Sequence, residues 1–315
     1  MAVEKTLSVI ILTFNVRDLT YQCLKSLYEA EEDIKRCGYS LEVIAPDSGS
    51  SDGSPSMIRE RFPKVIVIEC GDVGFARGNN AVRDYCHGQF VLILNPDTVI
   101  EKNTIPECLK YMDSHAEVGA MSCRIDLWNG GLDRDARRAF PTPWVAFTHF
   151  SGLDILFPKS KLFSRYWYGY IPDDRETEVD VLQGAFTLVR KEIMDGVGWY
   201  DTDYFLDGED IDLCWKIKKL GYKIVYFPKV RIIHYKGASK GKKTSGAIAA
   251  TVDPKIRRRS IDSGISAMKI FYKKHLESGY PRFISLLVYS GIEIIRLTRV
   301  INFELVKILR KRGEL

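Results

Sequence analysis

The sequence predicts an α/β protein in which a mixed, mainly parallel sheet is flanked by helices and followed by a helical C-terminal extension. Short apolar runs alternate with segments of helical period through the first third of the chain. Strands separated by helices are joined by right-handed crossovers, and such connections build parallel sheets. With 315 residues, 45% of them hydrophobic, the chain is long enough to bury a full core.

The predicted elements follow one another in a regular order. Leu7–Phe14 is a β-branched run typical of a strand, and residues 16–38 carry apolar residues at helical spacing, closed by Gly38. The next segments are a strand that runs into "PDSGSSDGS", the short helix "PSMIRERF", the strand "KVIVIEC", the loop and helix "GDVGFARGNNAVRDYC", and the strand "VLIL".

The middle of the chain, from about Cys123 to Asp180, has a different character. It is rich in Arg, Pro and aromatic residues and has weak periodicity, which is typical of a functional lid or recognition loop. Regular structure returns with the strand and helix of "VDVLQGAFTLVRKEIMDGVG". The helix, glycine turn and strand of "EDIDLCWKIKKLGYKIVYFP" complete the series.

The composition indicates a cellular compartment and shows where the positive charge lies. Seven cysteines are scattered without a CxxC pair, which indicates reduced thiols and a cytoplasmic location. The first residues lack the features of a signal peptide, so nothing directs the chain to secretion. From Lys236 onward there are 18 Lys and Arg against 6 Asp and Glu, whereas residues 1–235 hold 28 against 35. The excess positive charge therefore lies in the C-terminal part.

Residues 281–312 have helical period, but their longest charge-free apolar run, Phe283–Ile292, is too short to cross a bilayer. On a helical wheel the charged residues fall within an arc of roughly 140°. We expect this helix to lie on a surface. A membrane interface is favoured by the neighbouring clusters "KIRRRS" and "YKKH", and the alternatives are the protein's own body or a partner subunit.

Polar residues follow the predicted strands where each strand ends. After the buried run Val91–Leu94 the chain continues with Asn95, Pro96 and Asp97. A carboxylate is costly inside a strand covered on both faces, and ligands of open α/β sheets bind at the carboxyl edge. We therefore expect Asp97 to hold a divalent metal beneath a diphosphate. The clusters of this kind are Thr13 to Asn15, Asp47 with Asp52, Arg77 to Asn80, Asn95 to Asp97, and Glu209 with Asp210.

Each cluster alone also has an ordinary explanation, because Asp at a strand end is a common turn former or helix cap. Their order along the chain is more specific. It resembles family 2 inverting glycosyltransferases, and within them the bacterial rhamnosyltransferases of cell-surface polysaccharide. The resemblance covers roughly residues 6–275. It rests on the motifs "LSVIILTFN", "PDSGSSDGS", "DVGFARGNN", "LILNPDT", "RRAFPTPW", "VDVLQGAFTLVRKE", "FLDGEDIDLCWKIKKLGYKIVYFP", "IIHYKGAS" and "AMKIFYKKH".

The resemblance implies a fold and a division of the chain. The fold is GT-A, a Rossmann-like mixed sheet flanked by helices. Residues 1–235 would form the catalytic domain, with a nucleotide-sugar-binding half at 1–125 and an acceptor-binding half at 126–235. Residues 236–315 would form a basic helical extension, for which the charge clusters and the helical wheel favour a membrane interface over the protein's own body or a partner subunit.

The resemblance assigns a divalent cation, Mn²⁺ or Mg²⁺, to Asp97, which stands as the final acid of an Asp-x-Asp motif. Asn95 replaces the first acid of that motif. His234 matches a histidine that completes the metal site, and an imidazole suits Mn²⁺ better than Mg²⁺. The alternative for His234 is a structural histidine packed on a loop.

Inverting transfer needs a base on the sugar face opposite the leaving group. The resemblance assigns the base to Asp210 and a positioning role to Glu209. Both residues open a predicted helix, where carboxylates are also favoured as caps. Asp212, two residues on, points elsewhere on the helix and is interpreted as structural.

At the nucleotide end the resemblance places the pyrimidine and ribose against residues that follow the first two strands and against the glycine-rich loop. The chain departs from the family pattern at Pro46-Asp47-Ser48, where an aliphatic residue followed by Asp-Asn is usual. For Asp52, local capping within "SSDGS" is a serious alternative. The residues assigned here are Thr13, Asn15, Asp47, Asp52, Arg77 and Asn79.

The acceptor side offers aromatic rings and guanidinium groups suited to sugar faces and to a lipid-linked pyrophosphate. Packing of a lid on the core explains the same residues equally well. They are Arg137, Arg138, Trp144, Arg165, Tyr166, Trp167 and Tyr168.

The leading hypothesis is therefore transfer of a deoxyhexose, L-rhamnose from dTDP-β-L-rhamnose, to a lipid-linked saccharide at the inner face of the cell membrane. One alternative is a transferase of another UDP- or dTDP-sugar, and a second is a catalytically inactive protein that binds glycan or nucleotide sugar. A nucleic-acid binder is disfavoured because the chain has no recognised motif for it. The oligomeric state stays open, a homo-oligomer included.

Overall fold

The computed structural model describes residues 5–236 and 254–311. Within them lie nine strands and eleven α-helices. The strands are β1 (Lys5–Ile10), β2 (Tyr39–Asp47), β3 (Ile66–Glu69), β4 (Phe90–Leu94), β5 (Thr98–Ile100), β6 (Val118–Leu127), β7 (Thr177–Glu178), β8 (Phe186–Arg190) and β9 (Lys223–His234).

The helices flank this sheet and build the C-terminal extension. They are α1 (Arg17–Glu29), α2 (Glu31–Arg36), α3 (Ser54–Arg61), α4 (Phe75–Asn80), α5 (Thr104–Ser114), α6 (Pro143–Phe150), α7 (Leu153–Leu156), α8 (Lys191–Gly196), α9 (Glu209–Lys219), α10 (Pro254–Phe271) and α11 (Arg282–Lys311).

The strands form one mixed sheet in the order β3-β2-β1-β4-β8-β6-β9-β5, and β7 pairs with β9. The first four strands in this order are parallel, β8 runs antiparallel to both its neighbours, and β6 and β9 are parallel. All five residues of β4 are buried, as expected of a strand with helices on both faces. The predicted mixed, mainly parallel sheet flanked by helices, followed by a helical extension, is confirmed.

Two details differ from the sequence prediction. The first strand ends at Ile10, so Thr13 lies in the loop that follows it. The helical pattern of residues 16–38 forms two helices, α1 and α2, because the chain turns at Ala30 between them. Periodicity alone does not show this break, because the apolar pattern continues across it. Ala30 at the break and Ile34 after it are both fully buried.

The C-terminal extension packs on the body of the protein through α9 and the loop before it. The imidazole Nε2 of His275 lies 2.6 Å from Asp212 Oδ1, and Lys274 Nζ lies 2.6 Å from Asp201 Oδ2. Asp212 is 1% exposed, so this pair is enclosed. Its contacts agree with the structural role expected for Asp212. The predicted division at residues 235–236 stays a prediction, and residues 237–253 and 312–315 of the predicted extension lie outside the described residues.

The helix predicted at residues 281–312 is α11. One face packs against α10 and the turn after it, where Ile292 and Phe303 are buried. The face turned away from α10 carries an exposed apolar stripe that spans an arc of roughly 100°. The stripe consists of Phe283, Leu286, Leu287, Ile294, Leu297, Ile301 and Leu305. Among the described helices, none is both long enough and apolar enough to cross a bilayer.

Candidate functional site

The candidate site begins at the carboxyl ends of three adjacent strands. β1 lies between β2 and β4 in the sheet, so the loops that follow these strands meet at one edge. Thr13 follows β1, Asp47 ends β2, and Asp97 follows β4. The sheet topology therefore gathers residues from distant parts of the sequence at the edge where open α/β sheets bind ligands.

Thr13 and Asp47 lie in direct contact at this edge. The hydroxyl of Thr13 donates to Asp47 Oδ2 over 2.8 Å, and Asp47 Oδ1 accepts the N–H groups of Gly49 and Ser50. Both side chains are buried. Asp47 therefore stabilises the turn that follows β2, and it also lies at the carboxyl edge of the sheet.

Asn15 and Asp52 join the loops after β1 and β2. Asn15 Oδ1 accepts the N–H of Ser51, and Asp52 Oδ2 accepts the N–H of Arg17, each over 2.8 Å. Asp52 also binds the N–H and hydroxyl of Ser54, the first residue of α3. Burial raises the pKa of Asp52, but these hydrogen bonds outweigh it and lower the pKa overall. The local turn contact that the sequence allowed for Asp52 is present in the structure, where Gly53 is the N-cap residue of α3.

The glycine-rich loop leads into α4. Gly74 precedes this helix with φ 82° and ψ 177°, a conformation open essentially to glycine alone. A Cβ there would collide with the carbonyl oxygen and ring of Phe205, whose oxygen accepts the N–H of Phe75. Arg77 is exposed, whereas Asn79 is buried and donates to Phe75 O over 2.9 Å. The close approach of Gly74 and the hydrogen bond from Phe75 thus hold the glycine-rich loop against Phe205.

Asp97 and His234 come together because β5 pairs with β9. Thr98 is the partner of His234 in that ladder, and the N–H of Tyr235 donates to the carbonyl of Asp97 over 2.8 Å. His234 Nε2 lies 3.3 Å from Asp97 Oδ1, and both side chains are at most 3% exposed. Asn95 is placed by its backbone, since its carbonyl accepts the hydroxyl of Thr98 over 2.7 Å.

The residues present fit a divalent cation. Asp97 Oδ1 is buried and makes no hydrogen bond to any described residue, so a carboxylate oxygen beside an imidazole nitrogen is left available. Hard cations bound with substrate phosphates commonly take only one or two protein ligands and complete their shell with phosphate and water. In the part of the chain that the structure describes, no group of three or more His, Cys, Asp or Glu side chains is arranged to hold a metal. Asp97 and His234 would therefore hold it as a pair.

Asp133 orients the histidine from the other side, a role that the sequence analysis missed. Its Oδ2 lies 3.1 Å from His234 Nδ1. A carboxylate on one ring nitrogen leaves the other nitrogen available as a ligand, the arrangement common around metal-binding histidines. Burial lowers the pKa of His234, but Asp97 and Asp133 outweigh it and raise the pKa to about 9. A metal ion bound at Nε2 would therefore have to displace the proton held there. The spacing of the two acids in "DRDARR" is the signal that could have indicated this residue.

Lys236 and Asp135 continue this cluster. Lys236 Nζ lies 2.6 Å from Asp133 Oδ1 and 2.6 Å from Asp135 Oδ2. Burial raises the pKa of Asp135, but the neighbouring charges of Arg138 and Lys236 lower it well below its usual range. Asp135 therefore forms an ion pair with Lys236 and is also stabilised by the nearby charge of Arg138.

Arg138 connects the cluster to α9. It is bridged to Val181 through two backbone hydrogen bonds, and its Nη2 lies 2.5 Å from Asp210 Oδ2. Asp210 and the buried Glu209 open α9, next to Tyr200, whose pKa is raised by burial and by these two acids. Both predicted catalytic acids therefore lie at one helix N-terminus.

The structure thus contains a row of alternating charges between the two ends of the candidate site. Four acids alternate with three basic side chains, and the outer members of the row are the proposed metal ligand and the proposed base. The row runs Asp97, His234, Asp133, Lys236, Asp135, Arg138 and Asp210.

The predicted acceptor residues divide between the two roles that the sequence left open. Arg137 is 2% exposed and donates to the carbonyls of Ile171 and Pro172 and to Asp173, so it packs the lid. Tyr168 is also buried, and its hydroxyl accepts the N–H of Asp180.

The other acceptor candidates are less buried than Arg137 and Tyr168. Tyr166 lies against Arg138, and Trp167 donates from Nε1 to Asp135. Trp144 and Arg165 are exposed. Tyr166 and Trp167 are therefore the aromatic residues that the structure brings to the row of charges.

Comparison with known proteins shows the family of the chain. Residues 8–198, more than half of the chain, match the family model described as Glycosyl transferase family 2. The chain is 26% identical over 222 residues to the N-acetylglucosaminyl-diphospho-decaprenol L-rhamnosyltransferase of Mycobacterium tuberculosis, across 67% of this chain and 71% of that relative. It is 27% identical over 187 residues to rhamnosyltransferase WbbL of Escherichia coli K12, across 56% of this chain and 67% of that relative.

Solved structures share the fold at low sequence identity. The mannosyltransferase PcManGT of Pyrobaculum calidifontis, in complex with GDP-Man and Mn²⁺, superimposes with a TM-score of 0.54 at 17% identity, over 95% of this chain and 87% of that one. Residues 1–349 of TarS from S. aureus superimpose with a TM-score of 0.51 at 14% identity, over 98% and 92%. These likenesses show a GT-A fold.

Proposed function

Because this chain belongs to glycosyl transferase family 2, we propose that it transfers L-rhamnose from dTDP-β-L-rhamnose to a saccharide on a membrane lipid carrier. The observation that carries the proposal is the row of charges from Asp97 to Asp210. It joins a buried carboxylate beside an imidazole to a carboxylate at a helix N-terminus. The names of the two rhamnosyltransferase relatives support the choice of sugar, and that of the mycobacterial relative supports a lipid diphosphate acceptor.

In this proposal the donor lies at the carboxyl edge of the sheet. Thr13, Asn15, Asp47 and Asp52 form the wall for the pyrimidine and ribose. Arg77 and Asn79 contribute from the loop and helix above it. A carboxylate that accepts the imide N–H of the base would select thymine or uracil over cytosine, because cytosine has no such donor.

A divalent cation held by Asp97 and His234, Mn²⁺ or Mg²⁺, would stabilise the negative charge of the departing diphosphate. Asp133 keeps the His234 ring oriented. Asn95, in the position of the first acid of the motif, adds no charge beside Asp97.

Asp210 takes the proton of the acceptor hydroxyl. As that oxygen forms a bond to the anomeric carbon, the bond from the carbon to the diphosphate breaks, and attack on the opposite face inverts the anomeric configuration. Glu209 positions the start of α9. Tyr166 and Trp167 offer ring faces to the acceptor sugar, and Arg138 offers a guanidinium to its diphosphate.

We propose that the protein works peripherally on the cytoplasmic face of the membrane, held there by α11. The exposed apolar stripe of this helix lies beside its charged residues, which is the pattern of helices that lie in the plane of a membrane interface. Seven free cysteines support a reducing compartment.

A donor screen tests the proposed reaction. The full chain is incubated with a lipid-linked N-acetylglucosamine diphosphate, Mn²⁺ and a panel of dTDP- and UDP-sugars, and the released nucleoside diphosphate is measured. We expect release from dTDP-rhamnose, and none from the Asp210→Asn variant. Release from another sugar only would overturn the donor assignment. Binding of nucleotide sugars without any release would favour a catalytically inactive binding protein.

A further inference from the structure

An apolar surface covers the outer side of the segment that follows Arg138. It is formed by α6, α7 and the turn after them, and its side chains are exposed although they belong to regular structure. The exposed side chains include Trp144, Phe147, Phe150, Ile155, Leu156 and Leu162. Scattered exposed apolar residues are ordinary on a soluble protein, but this many within 19 consecutive positions mark an interaction surface.

The surface is held in shape by its own contacts. Thr142 caps α6 by accepting the N–H of Val145, and Trp144 Nε1 donates to the carbonyl of Leu162 over 3.0 Å. The Trp144 ring also packs against Phe147, with centroids 5.8 Å apart. The apolar side chains are therefore presented on an ordered platform.

The exposed charges within residues 138–172 have one sign. Lys159, Lys161 and Arg165 are exposed beside the apolar residues. Between residues 138 and 172 the sequence contains a single acid, Asp154, which is 5% exposed and bound to His149 at 2.7 Å. The outer surface thus combines aliphatic and aromatic side chains with exposed cations and no exposed acid.

The inner side of the same segment contacts the candidate site. The His149 ring of α6 stacks on Tyr166 with centroids 4.3 Å apart, and Tyr166 lies against Arg138. Arg138 in turn holds Asp210. His149, which contacts Phe150 of the apolar surface, is therefore two side-chain contacts away from the residue that binds the proposed base.

We propose that residues 143–165, named here the lid surface, insert into the interface of an anionic lipid bilayer at the acceptor side of the site. Apolar and aromatic side chains flanked by cations, without acids, match the boundary between acyl chains and anionic headgroups. Seating the lid surface in lipid places Arg138 and Asp210 where a lipid-linked diphosphate emerges from the bilayer. The purpose of this contact, delivery of a lipid-linked acceptor, rests on the proposed function. The lid surface is a separate contact from the membrane contact proposed for α11.

Vesicle binding of the full chain tests the lid surface without donor or acceptor. One variant combines Phe147→Ser, Ile155→Ser and Leu156→Ser, and a second combines Lys159→Glu and Lys161→Glu. Leu220→Ser is the matched control, because Leu220 is 55% exposed at the end of α9 and far from this segment in sequence. Co-sedimentation is measured with phosphatidylcholine vesicles and with vesicles enriched in phosphatidylglycerol.

We expect the triple variant to bind anionic vesicles at least roughly tenfold more weakly, because each apolar side chain withheld from lipid weakens binding severalfold. The charge variant should lose roughly fivefold or more, and only on the phosphatidylglycerol vesicles. Leu220→Ser should match the unaltered chain. Circular dichroism and thermal unfolding check that every variant is folded.

Tryptophan quenching reports on the lid surface itself. Brominated lipids should quench an emission component that disappears in Trp144→Phe. Equal sedimentation of the triple variant and the unaltered chain, or no quenching of Trp144, would overturn the proposal. So would light scattering that shows a dimer for the unaltered chain and a monomer for the triple variant, since a second copy would then cover this surface.

The two proposals fail in different ways. A donor screen without turnover leaves the vesicle measurements unchanged. If the lid surface does not bind lipid, the protein should still release nucleoside diphosphate when it is given a water-soluble acceptor.

Discussion

Arg138 and Asp210 form an ion pair, with Nη2 of the guanidinium 2.5 Å from Oδ2 of the carboxylate, although they lie 72 positions apart in the sequence. Both side chains are at most 15% exposed. The pair holds the proposed base at the N-terminus of α9 in a fixed orientation. For Asp210 to take a proton, its Oδ2 must exchange the guanidinium for the acceptor hydroxyl. Arg138 is then free to bind the acceptor diphosphate.

We expect Asp210→Asn to reduce transfer by about 10²-fold or more, because the amide cannot accept the proton of the acceptor hydroxyl. Nucleotide-sugar binding, measured by calorimetry, should stay within a few-fold. Asp203→Asn is the control, since Asp203 is an exposed acid in the loop before α9. Unaltered turnover of Asp210→Asn would assign the base to another residue.

The ion pair also predicts a stability coupling. Arg138→Gln leaves a largely buried carboxylate without its counter-charge, and Asp210→Asn removes the directly paired acid of the guanidinium while Asp135 stays nearby, so each single variant should lose stability. The double variant should be more stable than the sum of the two losses implies, with a coupling of about 1–3 kcal/mol. Urea unfolding of the four proteins measures it. Additive effects would mean that the contact contributes nothing to folding.

Asp133→Asn is expected to weaken Mn²⁺ binding roughly tenfold to a hundredfold, because the carboxylate no longer orients His234 and strengthens it as a ligand. Paramagnetic titration of Mn²⁺ into the protein with dTDP present measures the affinity directly. Asp84→Asn serves as the control, since Asp84 is 85% exposed and pairs only with its neighbour Arg83 among the described residues. Equal affinities in both variants would remove Asp133 from the metal site.

Gly74→Ala should destabilise the glycine-rich loop and weaken donor binding. The new Cβ would combine an unfavourable backbone with a collision against Phe205, at a cost of about 1–3 kcal/mol. Gly71→Ala is the matched control: its φ of 68° is also positive, but no atom of the described residues lies within 4 Å of the added Cβ. Thermal unfolding and dTDP titration compare the two variants. If both behave alike, the contact with Phe205 is unimportant.

Replacing Leu286, Ile294 and Leu297 by Ser should move the protein from the membrane fraction to the soluble fraction. These three side chains lie on the exposed stripe of α11, so the substitutions remove apolar surface without opening the contact with α10. Fractionation of cells followed by immunodetection measures the change. An unchanged distribution would favour the lid surface as the main membrane contact, or a partner subunit on α11.

The sheet and the strand-end residues were predictable from the sequence because they depend on short-range patterns. An apolar run followed by Asn95-Pro96-Asp97 indicates a strand that emerges at a sheet edge, and the same holds for the residues after β1 and β2. The strand "VRIIH" likewise placed His234 at an end of β9. These features need only the residues within a few positions.

The contacts between the ends of the site depend on pairing across the chain, and a single sequence does not contain that information in readable form. Asp133 reaches His234, 101 positions away, through the register of β6 with β9 and the hairpin after β6. Whether Arg137 and Arg138 face the acceptor is likewise undecided from the sequence alone. One is buried in the lid and the other pairs with Asp210, although the two are adjacent.

The row of alternating charges constrains how this site can change. Each inner member has an opposite charge on both sides, so losing one leaves two neighbours without compensation, and burial makes that loss expensive. Replacement of a single member is therefore disfavoured, while paired replacement that keeps the alternation is tolerated. Related sequences should consequently vary at these seven positions in concert, with the sign of the charge preserved at each step.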